Sequence, residues 1–254
     1  MKPNVWTTDR LVVAAGMFAF SLSAAAAEPL QELFFVELPY AQEAGEVQMT
    51  LGTSLMEFDR VTETEFVPVL EYGFTDRFQA TLEPSYASVD PRGQSAERGL
   101  GDVEAELLYS ILGEEAPVLL SFGWGIGLPT GNEDKGLGDG DLTMESTLSL
   151  GKDVGRGGIY ASFAGELDGE ETEFHYGVAV VHSIGDWRPS LELSRLDSDD
   201  EGLWYLAPGL TRTGTGDLEL ALGLPVGLTQ EAADWGVAFM LTYEFSTRPD
   251  EDER

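Results

Sequence analysis

Apolar residues alternate with small or polar residues along most of the chain, in segments of about ten residues that begin at Val47. The last segment shows the pattern most clearly. One face of it carries Trp235, Val237, Phe239, Leu241, Tyr243 and Phe245, and the other carries Gly236, Ala238, Met240, Thr242 and Glu244. A period of two places successive side chains on opposite faces of a strand, and this length is that of a strand that crosses a membrane.

The pattern therefore predicts an all-β fold, an antiparallel transmembrane β-barrel of about twelve strands that follows an N-terminal signal peptide. No segment after residue 27 reaches the roughly 18 consecutive apolar residues of a membrane-spanning helix, so a chain that enters the membrane must close as a barrel. The strands are predicted near residues 46–56, 64–74, 78–88, 100–111, 117–128, 141–151, 158–167, 172–182, 187–195, 203–211, 217–228 and 235–245.

The connectors between these strands predict an orientation. An even number of strands puts both chain ends on one side of the membrane, and bacterial barrels have short periplasmic turns and longer outer loops. The short connectors, expected on the periplasmic side, are residues 75–77, 113–116, 152–157, 183–186 and 212–216. The longer connectors, expected outside, are residues 90–98, 129–140 and 196–202.

The N-terminal segment predicts export. Lys2 and Arg10 precede an apolar run at residues 11–23, and a small-residue sequence at 25–27 precedes Glu28. This is the pattern of a signal peptide cleaved after Ala27, and the run is too short for a helical membrane anchor, which needs roughly 20 apolar residues. The predicted organisation is a signal peptide at 1–27, an outer-membrane β-barrel at 28–245 and an acidic periplasmic tail at 246–254.

Charge and composition narrow the function classes. The chain has a formal net charge of −32, which excludes nucleic-acid binding by phosphate neutralisation. It has no cysteine, so it has no disulfides, no thiolate metal site and no lipid-modified N-terminal cysteine. Two interpretations of the acidity stay open, which are adaptation to a saline habitat and a lumen that attracts cations.

The strand carboxylates are predicted to face the inside of the barrel. A charge on the lipid face at mid-depth costs roughly 2–4 kcal/mol for Arg or Lys and less for a carboxylate. The predicted lumen-lining residues are Glu65, Glu71, Glu83, Asp102, Glu104, Glu106, Glu145, Glu166, Glu173, His175, Arg188, Glu192, Glu219 and Glu244. They are either the solvated inner face of any such barrel or a cation-favouring pore, since acidic rings favour cations.

Aromatic residues are predicted to form two belts at the membrane interfaces, where Trp and Tyr concentrate. The belt residues include Tyr72, Phe74, Tyr86, Tyr109, Trp187, Trp204, Trp235, Tyr243 and Phe245. Inward glycines at 123, 125 and 127 leave space inside the barrel, either for an open lumen or for a loop folded into it.

Several short motifs resemble one known family. They are residues 99–103 (Gly-Leu-Gly-Asp-Val), Leu128 to Gly131 (Leu-Pro-Thr-Gly), the glycine-rich loop at 136–140, residues 206–210 (Leu-Ala-Pro-Gly-Leu) and residues 223–225 (Gly-Leu-Pro). Over roughly residues 45–245 the chain resembles the outer-membrane transporter-like β-barrel family named for a role in the meta-pathway of phenol degradation. The resemblance implies a monomeric barrel that takes up small aromatic or other hydrophobic compounds, and it brings no catalytic residues. Family barrels commonly finish at a terminal aromatic strand, whereas Phe245 is followed here by residues 246–254.

Enzyme chemistry finds little support in the sequence. His175 and His182 are the only histidines and no third ligand has useful spacing, so no metal site is expected. No nucleotide-binding motif is present and no cofactor is expected. The neighbouring His182 and Ser183 leave an outer-membrane lipid hydrolase as a remote alternative, but no orienting Asp and no nucleophile elbow accompany them.

The sequence thus predicts a non-enzymatic outer-membrane pore or transporter for small solutes in a Gram-negative bacterium, with a narrow acidic lumen. The expected partners are outer-membrane lipid and lipopolysaccharide, the barrel-assembly machinery and a small solute, and the protein is expected to be a monomer. The alternative is a non-transporting structural or adhesion barrel whose lumen is plugged.

Overall fold

The computed structural model describes residues 30, 32–113, 115–168, 171–198, 201–214 and 217–247. The predicted signal peptide and residues 248–254 of the predicted tail lie outside these residues. The described chain is built of antiparallel strands, as predicted. The strands are β1 (Glu46–Glu57), β2 (Val61–Thr75), β3 (Phe78–Pro91), β4 (Glu97–Leu112), β5 (Leu119–Leu128), β6 (Thr143–Val154), β7 (Gly157–Asp168), β8 (Glu171–His182), β9 (Trp187–Ser198), β10 (Glu201–Thr213), β11 (Leu218–Gly223), β12 (Val226–Gly227) and β13 (Trp235–Ser246).

The sheet closes on itself. Each strand from β1 to β10 pairs with the next one along the chain, β10 pairs with β11 and β12, β11 pairs with β13, and β13 pairs with β1. The β1–β13 seam is continuous from Glu46 opposite Ser246 to Glu57 opposite Trp235. Closure removes the free edges that would otherwise expose unpaired backbone groups to lipid.

β11 and β12 are two parts of one wall strand. Leu224 and Pro225 interrupt it, and Pro225 has no N–H to give to the ladder. The backbone N–H of Leu224 still donates to Pro208 O at 3.0 Å, and that of Gly236 donates to Pro225 O at 2.7 Å. The described wall therefore has the twelve strands that the alternation predicts, with one prediction, an unbroken strand over 217–228, corrected by this proline.

Some predicted strand ends were also wrong. β9 runs to Ser198 and β10 begins at Glu201, so the long connector expected at residues 196–202 is reduced to two residues. β3 runs to Pro91, which shortens the connector expected at 90–98. Cross-strand pairing extends these strands because the polar residues at their ends still form ladder hydrogen bonds outside the alternating apolar stretch.

The two faces of the wall differ in chemistry. Large apolar side chains lie exposed on the outer face, among them Leu82, Leu107, Phe122, Leu148, Leu220 and Phe239. Buried polar side chains point inward, among them Gln48, Thr50, Thr147, Ser149, Ser194 and Thr242. This is the reverse of a water-soluble protein, and it follows from a lipid-facing exterior and an enclosed polar interior.

Helices play almost no part in the described residues, where the helical element is one 3₁₀ turn at Glu133–Lys135. Among those residues, no helix has the length and apolar character that crossing a membrane requires.

Candidate functional site: an acidic lumen with an internal segment

The lumen carboxylates are positioned by the pairing of β4, β5 and β6. Glu104 lies opposite Gly127 and Glu106 lies opposite Gly125, which in turn lies opposite Glu145. Since glycine has no side chain, these three carboxylates share the space in front of β5. A Cβ added at Gly123 would meet the Glu106 carboxylate, which shows that the glutamate lies over the glycine strand.

The free space inside the barrel is divided. One cavity of about 410 Å³ is lined by Glu32, Glu71, Glu106, Glu219 and Glu244, among other residues. A second cavity of about 320 Å³ lies toward the end of the barrel that carries the longer loops, here called the loop end. It is lined by Glu63, Glu65, Asp102 and Glu104, among other residues. A third, small cavity of about 30 Å³ lies against β3 to β7, is lined by Glu83, Glu104, Glu106, Glu145 and Glu166, and shares lining residues with both.

The structure places the fourteen predicted lumen residues as follows. Glu65, Asp102 and Glu104 line the cavity at the loop end, and Glu71, Glu83, Glu106, Glu219 and Glu244 line the larger cavity. Glu145 and Glu166 line the small cavity. Glu173 lies opposite Glu166, and His175 lies opposite the buried Ala164 on the same inner face. The Arg188 guanidinium is 3.5 Å from the Glu219 carboxylate, and both residues are buried. Glu192 is fully buried.

Asp102 fixes a loop that folds into the lumen. Its carboxylate accepts the backbone N–H of Gly131 at 2.7 Å and that of Asp139 at 2.8 Å. Leu137, at the middle of this loop, is buried inside the barrel. The loop between β5 and β6 therefore narrows the lumen.

A second loop, between β12 and β13, also turns inward. Ala233 is fully buried and its backbone N–H donates to the Tyr205 hydroxyl at 3.2 Å. Ala232, Ala233 and Tyr205 form a small apolar cluster against Phe35 and Phe58.

Residues 30 and 32–42, here called the lumen segment, lie inside the barrel ahead of β1. Leu30, Leu33 and Val36 are buried together with Leu119 of β5, Tyr160 of β7 and Val181 of β8. The described part of the segment forms no strand and pairs with none. It was predicted only as part of the barrel region, and its place in the lumen was not predicted.

Glu192 is the main polar contact of the lumen segment. Its Oε1 accepts the backbone N–H of Phe34 at 3.0 Å, and its Oε2 accepts those of Phe35 at 2.7 Å and Val36 at 3.2 Å. Three consecutive N–H groups that converge on one carboxylate form an anion-binding concavity of the backbone. A carboxylate predicted to line a water-filled lumen is thus used to hold the chain.

The start of β1 anchors the other end of the segment. The Gln42 side chain donates to Gln48 Oε1 at 2.8 Å, and the Gln42 backbone N–H donates to Gln79 Oε1 at 2.8 Å. Gln48 in turn donates to Glu32 at 2.9 Å and to Glu71, so carboxamides and carboxylates form one network across β1, β2 and β3. Tyr40 lies against the opposite wall, where its hydroxyl donates to Asp153 at 2.9 Å and is 3.1 Å from that of Tyr160.

Two carboxylates of the lumen segment have altered acidity. Burial raises the pKa of Glu32, and the neighbouring carboxylates of Glu71 and Glu37 raise it further. Enclosure within the barrel raises the pKa of Glu37 to about 7, with added repulsion from Glu145 and Glu104. Both groups therefore hold protons more tightly inside the lumen than they would in water.

The sequence carried one signal for this segment. Leu33, Phe34, Phe35 and Val36 form a short apolar run that does not alternate, close to Pro39 and just before the first predicted strand. Such a run does not fit a strand with one polar face. Its position in the lumen depends on wall residues more than a hundred positions away, which the run itself does not specify.

Most of the predicted belt aromatics lie exposed on the outer face, where rings pair along the surface, as Tyr243 does with Phe245 at 6.0 Å. Trp204 is half-buried under the Arg195 guanidinium, which lies 5.4 Å from its ring. Within the described residues, no group of three or more His, Cys, Asp or Glu is arranged to hold a metal ion.

Comparison with known proteins supports the fold. No protein-family model matches the sequence, and no curated protein matches it. Among solved structures, the chain is similar to the KdgM porin in complex with disordered oligogalacturonate, with a TM-score of 0.55, 8% identity, and coverage of 80% of this chain and 99% of the porin. It is also similar to the β domain of the Bordetella autotransporter BrkA, with a TM-score of 0.52, 12% identity, and coverage of 79% and 99%. The chain thus has the fold of outer-membrane β-barrels, and this level of identity shows the fold alone.

Proposed function

We propose that this protein is an outer-membrane pore for small solutes whose narrow acidic lumen favours cations over anions. The observation that carries the proposal is a cluster of carboxylates on the inner face of neighbouring strands, where Glu83, Glu104, Glu106, Glu145 and Glu166 line a cavity of about 30 Å³. A permeating cation would pass several carboxylates there, and rings of Asp and Glu are how pores favour cations. The similarity to a porin supports a barrel that can be built around a passage.

The membrane location of the protein and its lipid and assembly partners follow from the same proposal. The exposed leucines and aromatics of the outer face would contact lipid and lipopolysaccharide, and the barrel-assembly machinery would insert the chain as a monomer. The proposed location is the outer membrane of a Gram-negative bacterium, after removal of residues 1–27 by signal peptidase.

Aromatic or hydrophobic compounds are the finer substrate proposal. Membership of the transporter-like family named for the meta-pathway of phenol degradation is proposed on the short motifs described above, at residues 99–103, 128–131, 136–140, 206–210 and 223–225. Inside the barrel, the Phe35 and Tyr205 rings stack with centroids 5.6 Å apart, which shows that the lumen accommodates an aromatic pair. The cavities themselves are lined mainly by carboxylates, amides and hydroxyls, which favour polar and cationic solutes.

Planar-bilayer recording tests the pore. Because residues 30–42 fill part of the lumen, it is done on the full mature chain and on a chain without those residues. In a salt gradient at neutral pH we expect a reversal potential that shows cation preference. The combined substitution Glu104→Gln, Glu106→Gln and Glu145→Gln is expected to reduce that preference, while Glu231→Gln, at an exposed loop position, leaves it unchanged. Anion preference would overturn the proposal.

A second function is favoured by one observation, the amount of protein inside the lumen. The lumen segment and two inward loops leave separate cavities, as in a plugged structural or adhesion barrel. Absence of conductance in both chains, together with no swelling of liposomes in sugars or salts, would favour this reading over the pore.

A further inference from the structure

We infer that the lumen wall around Glu192 is a peptide-binding site, that residues 30–42 are its tethered ligand, and that departure of this ligand opens the passage. The last part rests on the proposed pore function, whereas the binding site does not.

The lumen segment spans the bore. Its contacts reach Gln79 on β3 and Glu192 on β9, and also Gln48 on β1 and Tyr160 on β7. In a closed barrel of twelve strands, strands six apart lie on opposite sides. A barrel of this size is roughly 24 Å across between backbones, and side chains from both walls reduce that width. A segment that contacts two pairs of opposite walls therefore crosses the passage.

The wall has recesses that match the side chains of the segment. A Cβ at Gly177 would come within 2.7 Å of Val36, and one at Gly151 within 2.8 Å of Pro39. A Cβ at Gly209 or Gly223 would come within 2.9 Å of the Phe34 ring. Four inward glycines on β6, β8, β10 and β11 thus accommodate three side chains of one short segment. This fit is that of a binding site.

The polar centre of the site selects peptide backbone. Glu192 is fully buried, and its two oxygens accept three consecutive N–H groups at 2.7–3.2 Å. A solute with a single donor cannot satisfy both oxygens in this way, whereas any bent peptide chain presents several N–H groups together. The ligand class is therefore a bent peptide with an aromatic residue beside the backbone nest.

The segment can leave without breaking the wall. In the described chain, residues 32–42 contribute no backbone–backbone hydrogen bond to the strand ladder, and their backbone N–H groups bond to side chains of Glu192, Ser162 and Gln79. The segment joins β1 through Gly45, whose N–H donates to Gly73 O at 2.7 Å. Residues 43–45 thus form a tether at the end of the barrel that carries the short connectors.

The test supplies the ligand in trans. The mature chain without residues 30–42 is refolded in detergent, and binding of a fluorescent peptide of residues 30–42 is measured by anisotropy. The same peptide is then added to the shortened chain in a planar bilayer. We expect saturable binding, higher conductance of the shortened chain than of the full chain, and block of that conductance by the peptide.

Point variants identify the site. Glu192→Gln, which removes one acceptor oxygen and the charge, is expected to weaken peptide binding by at least about tenfold. Glu115→Gln, which removes one carboxylate at an exposed position of the connector between β4 and β5, is expected to leave binding within about twofold of the unsubstituted shortened chain. In the full chain, Glu192→Gln is expected to raise conductance without any deletion, so the inference does not depend on the shortened chain alone.

The outcomes separate the two proposals. If the peptide fails to bind, or if Glu192→Gln and Glu115→Gln weaken its binding equally, the binding site is wrong. If the peptide binds at Glu192 but neither the shortened chain nor the Glu192→Gln chain conducts, the proposed pore is wrong and the binding site stands. If the shortened chain conducts no more than the full chain, the opening of the passage by departure of the segment is wrong.

Discussion

The backbone N–H of Phe35 donates a hydrogen bond of 2.7 Å to Oε2 of Glu192, a residue 157 positions away in the sequence. This hydrogen bond joins an apolar run before the first strand to a charged residue on the inner face of β9. The alternation of apolar and polar residues gives no sign that the two are in contact. This wall carboxylate binds a segment of the protein rather than water. Its substitution is therefore expected to weaken the docking of the segment more than it disturbs the barrel wall.

The absence of cysteine from the natural sequence allows the docking of the segment to be measured with a single introduced thiol. Val36→Cys places that thiol at a position that is 3% exposed. We expect slow reaction with a bulky hydrophilic maleimide, and faster reaction when Glu192→Gln is added. Loss of charge-assisted hydrogen bonds to the segment costs about 2 kcal/mol, or roughly thirtyfold in the docking equilibrium.

Two controls accompany this labelling. Ser95→Cys, at an exposed loop position, gives the rate for an open thiol and should not respond to Glu192→Gln. Glu115→Gln, at an exposed connector position, should leave the Val36→Cys rate unchanged. Equal rates for the thiols at 36 and 95 in the unsubstituted background would show that the segment does not stay docked.

The recess that Gly209 and Gly223 leave for the Phe34 ring leads to a second prediction. A methyl group at Gly223 would lie 2.9 Å from several atoms of the Phe34 ring, so Gly223→Ala must displace the ring or strain the wall. We expect higher conductance and faster labelling at Val36→Cys than in the unsubstituted protein. A methyl group at Gly125, also on the inner face, would have its nearest neighbour at 3.7 Å. Gly125→Ala should therefore leave labelling at Val36→Cys unchanged, and equally faster labelling with both alanines would contradict the recess.

Docking of the segment is expected to weaken as the pH rises. The pKa of Glu37 is raised from 4.5 in water to about 7 in the lumen by enclosure and by Glu145 and Glu104, and that of Glu32 is raised by burial and by Glu71. A carboxylate whose pKa is raised on docking contributes most below its free value and loses that contribution as the pH passes its docked value. The affinity of the shortened chain for the peptide should thus fall between about pH 5 and pH 8.

A variant peptide separates this effect from titration of the wall. Glu32→Gln and Glu37→Gln in the peptide remove the two groups, and binding should then change much less with pH. Tighter binding at higher pH would contradict the prediction.

The contacts of Asp102 with the loop between β5 and β6 lead to a prediction for the opposite end of the lumen, where loss of the carboxylate should loosen that loop. Asp102→Asn leaves one acceptor oxygen for the two N–H groups of Gly131 and Asp139, so the loop should detach more often. Trypsin cleavage after Lys135 reports this, and we expect it to become several-fold faster. Asp134→Asn, at an exposed position of the same loop, serves as the matched control. Unchanged cleavage in Asp102→Asn would show that the carboxylate does not hold the loop.

The strands and the faces of the barrel could be predicted from the sequence because both are local properties. In a strand, residues two apart share a face, so the sequence Glu104-Ala105-Glu106-Leu107 already separates the inner carboxylates from the outer leucine. Strand ends were less predictable. The connector between β9 and β10 shrank to two residues because cross-strand pairing continues through polar residues that interrupt the apolar alternation.

The roles of the inner residues could not be predicted in the same way. Asp102, Glu104 and Glu192 look alike in the sequence, yet Asp102 holds a loop, Glu104 lines the small cavity and Glu192 holds the lumen segment. Which role each takes depends on what lies across the lumen from it. Gly209 and Gly223 are similarly indistinguishable from other strand glycines until the Phe34 ring is placed against them.

By itself, the sequence determined that the chain forms a closed barrel with apolar side chains outside and carboxylates inside, because a period of two fixes the face of each residue within its own strand. Only the tertiary structure decided that residues 32–42 lie in the lumen, because that segment has no ladder of its own and its position is set by side chains from strands on opposite walls. Closure of the sheet brings those walls together, and the contacts that result exist nowhere in the local sequence.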